Sequence, residues 1–91
     1  MYYKTYKYYP DIPKYSIARS ESLATCISLV KTNINRTMER RNTDFCIYTY
    51  SVVSEDNKTQ RYFDNTGRAV TKEELATIQI MLGYGSDSIV K

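Results

Sequence analysis

Leu23, Cys26, Ile27, Val30, Ile34 and Met38 recur with helical spacing, which places them on one stripe of a helix about twenty residues long. A helix that is apolar along a single stripe gains most of its stability by laying that stripe on another element. This requirement constrains the chain more than any other feature. Ser20 is the expected N-cap, with Glu21 in the first turn at the positive end of the helix dipole. Arg36, Arg40 and Arg41 gather toward the negative end.

The flanking segments supply a sheet. Residues 2–9 alternate, with Tyr2, Lys4, Tyr6 and Tyr8 on one face and Tyr3, Thr5, Lys7 and Tyr9 on the other. Tyr9-Pro10-Asp11-Ile12-Pro13 is a turn, because the prolines fix φ and withhold ladder donors. Tyr15–Ala18 then returns as the second arm of a hairpin. Beyond the helix, Phe45–Val53 alternates again. Its Cys46, Tyr48, Tyr50 and Val52 face is the more apolar and is expected against the helix. Ser54–Lys58 is a polar hairpin loop, Thr59–Asp64 comes back as a strand, and Asp64-Asn65-Thr66-Gly67 turns with glycine at the positive-φ position. Arg68–Val70 reads as a short further strand.

Thr71 and Glu74 form a capping box that opens a second helix running to Leu82, with Leu75, Ile78, Met81 and Leu82 as its apolar face and Gly83 as its stop. Residues 84–91 are a tail that either docks through Ile89 and Val90 or frays. The order is ββαββ(β)α. It predicts an α+β fold, an antiparallel sheet of three to five strands with two helices on one face, in a single domain spanning 1–91.

Several function classes are disfavoured by residue type. The chain has no histidine, which removes the commonest general acid–base group and metal ligand. Cys26 and Cys46 have neither metal-ligand nor redox-pair spacing and read as buried thiols. Glu55-Asp56 and Glu73-Glu74 are sequence neighbours on solvated surface, and Gly67, Gly83 and Gly85 do not make a phosphate-cradling loop. The stretch from Phe63 to Glu74 has the composition of a calcium loop but fails its arithmetic. With Gly67 at the sixth position the first ligand would be Tyr62; with Glu74 at the twelfth, the sharp-turn sixth position falls on Arg68. No catalytic residue, metal site or cofactor is therefore expected. No apolar run is long enough to span a bilayer, and the N-terminus lacks signal-peptide features, so a cytoplasmic location is expected.

What remains is a binding surface. Six of the ten tyrosines fall within the first fifteen residues, at 2, 3, 6, 8, 9 and 15, interleaved with Lys4, Lys7 and Lys14. Residues 1–41 carry eight Lys or Arg against three acids, whereas residues 42–91 carry five against seven. Tyrosine and arginine are enriched at protein hot spots, and tyrosine with lysine also suits single-stranded nucleic acid. The candidate contact residues are Tyr2, Tyr3, Lys4, Tyr6, Lys7, Tyr8 and Tyr9, with Arg36, Arg40 and Arg41 at the helix end. A protein partner is the first expectation, because a strand with tyrosine on both faces carries more aromatic surface than one small helix covers. Nucleic acid and a second copy of the chain are the alternatives.

The run Tyr15-Ser16-Ile17-Ala18 entering a helix through Ser20-Glu21-Ser22-Leu23, followed by the Ile47–Tyr62 hairpin and the Asp64-Asn65-Thr66-Gly67 turn, resembles small accessory proteins of bacteriophages and mobile elements, among them anti-CRISPR proteins with a ββαββ sheet. The resemblance covers roughly residues 2–70 and rests on element order and turn chemistry; the helix Lys72–Leu82 departs from the shortest members. It carries over no functional residue. It implies a protein that blocks or redirects a host nuclease or defence complex stoichiometrically, through surface contacts and without catalysis.

Overall fold

The computed structural model describes all residues 1–91. Strands β1 (Tyr3–Tyr8), β2 (Tyr15–Ser20), β3 (Thr49–Ser54), β4 (Gln60–Phe63) and β5 (Ala69–Val70) form one antiparallel sheet, together with helices α1 (Leu23–Arg41) and α2 (Lys72–Met81). The strand order is β2-β1-β3-β4-β5, so α1 carries the chain across β1 to the far side of the hairpin. This is the predicted α+β order.

Strand pleating divides the side chains into two sets. Thr5 is level with Val52 and Lys7 with Tyr50, whereas Tyr6 is level with Ser51 and Tyr8 with Thr49. The first set faces α1. Cys26, Val30 and Ile34 are buried there against Cys46, Tyr48, Tyr50, Val52 and Phe63, with Leu23, Ile27 and Met38 at the margin. The whole expected stripe therefore packs. Polar groups inside this layer are paired: the Thr5 hydroxyl donates to the Cys26 carbonyl at 3.0 Å, and the Tyr50 hydroxyl donates to Asn33 Oδ1 at 2.7 Å.

The second set faces α2, and this corrects the expectation of both helices on one face. Leu75 packs with Tyr8, Tyr84 and Val90, flanked by Tyr6, Tyr62 and Val70. The alternating sequence has usable side chains on both faces, and the cores form on both. The tail supplies much of the second cover: Tyr84, Ser88 and Val90 are buried, the Gly85 N–H donates to the Pro10 carbonyl, and the Val90 N–H donates to Gln79 Oε1.

Other boundaries shift for local reasons. The N-cap of α1 is Ser22, whose Oγ accepts from the Thr25 N–H at 3.2 Å, and the first turn holds no acid. Ser20 instead ends β2, level with Tyr3, and its hydroxyl oxygen accepts from the Ser22 N–H. The ladder claims Arg19 and Ser20, so the helix starts two residues later than propensity alone implies. Ile17 is an unpaired bulge between Ser16 and Ala18, and packs at the edge of the α1 core. β3 begins at Thr49, although Cys46 and Tyr48 are already buried.

The capping box at Thr71 and Glu74 is formed in both directions. Inside α2 the buried residues are Leu75 and Gln79, while Met81 is 80% exposed, so the expected apolar face is rotated. Gln79 is held inward by two hydrogen bonds, donating to Thr49 Oγ1 and accepting from the Val90 N–H. The Asp64 turn is built as read. Asp64 Oδ1 accepts from the Thr66 N–H, the Thr66 hydroxyl and the Arg68 N–H, and Gly67 has φ +88°.

Candidate functional site

The sheet splits the ten candidate contact residues into separate groups. On the α2 side, Tyr8 is 4% exposed and belongs to the core, its hydroxyl paired with Ser51 at 3.2 Å. Burial raises its pKa above the ordinary tyrosine value. On the α1 side, Tyr3 is half-buried against the core. Neither presents a free ring to a partner. The expected excess of aromatic surface is smaller than it looked, because both faces of β1 are covered along part of their length.

Two groups stay accessible. The first lies on the α2 side of β1 and β2 and runs along the hairpin from Tyr2 to Lys14, whose ammonium also lies 5.5 Å from the Tyr8 centroid. It joins Tyr2, Lys4 and Tyr6 to Arg19 and Lys14. Lys4 is level with Arg19 across the hairpin. The Arg19 guanidinium lies 3.7 Å from the Tyr2 ring centroid, and Lys14 Nζ lies 4.8 Å from that of Tyr6. A depression of about 370 Å³ runs beside them, lined by Lys4, Tyr6, Val53, Ser54, Glu55 and Asn57. Glu55 is engaged by the backbone, its Oε1 accepting from the Tyr2 N–H at 2.6 Å.

The second group sits where the end of β1 meets the end of α1. Lys7, Tyr9, Thr37, Arg40, Arg41 and Tyr48 line a cavity of about 190 Å³. Lys7 is 8% exposed. Its ammonium donates to Thr37 Oγ1 at 3.4 Å and lies 4.3 Å from the Tyr48 centroid and 5.3 Å from that of Tyr9. The Arg41 guanidinium is 5.6 Å from Tyr48 on the same ring system. Tyr9 is held between two rings, stacked on Tyr15 at 5.1 Å and tilted to Tyr48 at 4.8 Å, and its hydroxyl is hydrogen-bonded to that of Tyr15. Burial lowers the Lys7 pKa; the neighbouring Arg41 and Arg40 charges push the same way, while Cys46 opposes them. Burial raises that of Tyr9, with its Tyr15 hydrogen bond acting in the same direction.

Arg36 is exposed and lines no part of this cavity, although it shares the helix end with Arg40 and Arg41. Sequence reasoning missed Arg19, Thr37 and Tyr48 as contributors. Thr37 lies three and four residues before Arg40 and Arg41, a spacing that puts all three side by side on the helix. Arg19 follows only from the hairpin register.

The electrostatics of both groups share one property. The molecule has a single ion pair, Arg68 Nε to Asp64 Oδ2 at 3.4 Å. Every other cation is without a carboxylate within salt-bridge distance, and four of them rest on aromatic rings instead. No three His, Cys, Asp or Glu side chains converge into a metal-binding group. Both cysteines are buried free thiols, and burial pushes Cys46 above the ordinary thiol value, so it is poorly suited to act as a nucleophile. No helix is long and apolar enough to cross a membrane. Compared with protein-family models, curated proteins and solved structures, the chain has no match.

Proposed function

We propose that this chain is a non-catalytic binding protein that docks on an acidic surface of a host protein complex through Tyr2, Lys4, Tyr6, Lys14 and Arg19. The supporting observation is that Arg19 and Lys14 are held on tyrosine rings with no carboxylate partner, on an accessible part of the sheet. Such cations are pre-positioned and can meet a partner's acids without first breaking an internal salt bridge. Tyrosine and arginine side by side supply contact area and charge at the centre of an interface. The resemblance to small phage and mobile-element proteins adds the mode of action, stoichiometric inhibition or redirection of a defence nuclease or similar assembly.

Charge restricts how such inhibition works. A basic surface cannot imitate a nucleic acid in a nuclease's basic groove, so the docking site on the complex is acidic and separate from that groove.

Single-stranded nucleic acid is the weaker alternative on this surface. Base stacking needs open ring faces, and here Tyr2 and Tyr6 each carry a cation over the ring while Tyr8 is buried.

Charge reversal provides the test. Lys4→Glu combined with Arg19→Glu should abolish capture of the host complex while leaving the melting temperature within a few degrees, since both side chains are exposed. Retention of full capture by the double variant would overturn the reading. Tight, strongly salt-dependent binding of a single-stranded oligonucleotide that the same variant loses would favour the alternative.

A further inference from the structure

We propose that the cavity between the ends of β1 and α1 binds a nucleoside 5′-phosphate, with the phosphate held by Lys7, Arg40 and Arg41 and the base laid on Tyr15. This site lies on the other face of the sheet from the docking surface and does not depend on it.

The phosphate assignment rests on cations left without anions. Lys7 brings its ammonium into a place where it is 8% exposed, yet it makes one hydrogen bond, to Thr37. An ammonium has three donors, so two remain for an acceptor. Thr37 cannot compensate as an anion would, since its own proton goes to the Asn33 carbonyl at 2.8 Å. Taking a lysine out of water is unfavourable unless an opposite charge or a ring meets it. Here rings meet it, and the other charged side chains lining the cavity, Arg40 and Arg41, are of the same sign. The partial negative charge at the end of α1 draws the arginines there, but neither guanidinium makes an ion pair within the protein. A phosphate monoester dianion would neutralise the cluster and accept from all three groups.

Size and aromatic placement narrow the class. A cavity of about 190 Å³ accommodates a phosphate group and its ester arm and leaves no room for a base beside them. A base would have to lie at the rim. The rim carries Tyr15, the end ring of the Tyr48–Tyr9–Tyr15 series, which is 47% exposed, whereas Tyr9 and Tyr48 are enclosed by their neighbours. Tyr15 is level with Lys7 across the hairpin and stacks on Tyr9, the ring that stands between it and the ammonium. One open ring next to one anion receptor fits a single nucleotide.

Calorimetric titration of the intact protein with adenosine 5′-monophosphate, adenosine and inorganic phosphate tests the assignment. The monophosphate is expected to bind at least about tenfold more tightly than either fragment, a difference that calorimetry resolves readily. Arg41→Gln and Lys7→Met should each abolish nucleotide binding, whereas Tyr15→Ala should reduce the nucleotide to the affinity of inorganic phosphate. Arg41 is exposed, so that variant remains informative even if Lys7→Met fails to fold. Parallel titrations with a 5′-phosphorylated and a 5′-hydroxyl oligonucleotide separate the two sources of the ligand: preference for the phosphorylated strand over the free nucleotide assigns a strand terminus, and the reverse assigns a free nucleotide. Equal binding of adenosine and its monophosphate overturns the proposal, as does tighter binding of a phosphotyrosine peptide. Absence of nucleotide binding by the unaltered protein also overturns it, whatever the melting temperature of Lys7→Met.

Discussion

The two faces of this sheet are built from different materials. Against α1 the core is largely hydrocarbon: Val30, Ile34, Val52 and Phe63 surround Tyr50, with few polar atoms to satisfy. Against α2 the core turns on hydrogen bonds. The Tyr84 hydroxyl reaches the Ile47 carbonyl at 2.8 Å, the Tyr8 carbonyl at 3.0 Å and the Thr49 N–H at 3.1 Å. Thr49 Oγ1 in turn accepts from Gln79, whose carbonyl oxygen holds the tail through the Val90 N–H. The first layer tolerates shape-conserving exchange. The second joins β1, β3, α2 and the tail through a few atoms, and a missing atom leaves others buried without partners. The cation–aromatic cavity sits at the end of the first face, where the hydrocarbon runs out at Tyr48 and Met38.

The largest effect expected from breaking this contrast is on the α1 side. Ile34→Ala removes a buried side chain from the middle of the stripe and should cost about 2–5 kcal/mol. At ~4–8 °C per kcal/mol for a chain of this size, a calorimetric melt would register the loss as a large drop in Tm. A cost below about 1 kcal/mol would mean that α1 does not sit on the sheet as described.

Next comes Tyr84→Phe, which keeps the ring and deletes one oxygen. Thr49 N–H and the carbonyls of Tyr8 and Ile47 would lose that partner, at about 1–3 kcal/mol. The same hydroxyl gives the α2 side a pH signature. Burial raises its pKa from 10.0 to about 12, against the opposing effect of its Thr49 hydrogen bonds. A group raised on folding adds stability that is complete below the unfolded value and is lost as pH climbs through the folded one. The native protein should therefore lose stability between pH 10 and 12 more steeply than Tyr84→Phe, a difference that denaturant melts across that range would show. Parallel curves would remove Tyr84 from its buried position.

Gly67→Ala probes the joint between the β4–β5 turn and α1. The residue has φ +88°, and an added Cβ would lie 3.2 Å from Lys31 Cγ. The left-handed backbone alone should cost about 1 kcal/mol, and the flexible lysine stem can yield. Retention of wild-type stability in denaturant melts would contradict the positive φ.

How much of this was legible in the sequence follows the same division. The α1 stripe, the apolar Cys46–Val52 alternation, the Asp64–Gly67 turn and the Thr71–Glu74 capping box are local or periodic, and each was readable. The α2 face was not, since hydrogen bonds between Gln79, Thr49, Tyr84 and Val90 have no period and join residues far apart in the chain. The candidate surface was half legible. Tyrosine and lysine counts point to β1, but pleating and the bulge at Ile17 decide which rings are covered, and Arg19, Thr37 and Tyr48 arrive only through tertiary pairing.

The smallest predicted effect is the sharpest test of α2. Periodicity places Met81 on the buried face and leaves Gln79 outside it; the structure has Gln79 fully buried and Met81 80% exposed. The two alternatives differ by a rotation of the helix that would exchange one apolar side chain for one hydrogen-bonded amide. Hydrophobic burial by itself favours the first. The second prevails because Gln79 donates to Thr49 Oγ1 and accepts from the Val90 N–H, which would otherwise be buried without a partner. Met81→Lys should therefore change stability by no more than about 0.5 kcal/mol, as for an ordinary surface position. Gln79→Leu, similar in size and more apolar, should be the damaging exchange, at about 1–3 kcal/mol. If melts show the opposite ranking, with Met81→Lys the costly one, α2 is turned inward on its apolar residues, and the hydrogen-bonded face described for this sheet is wrong.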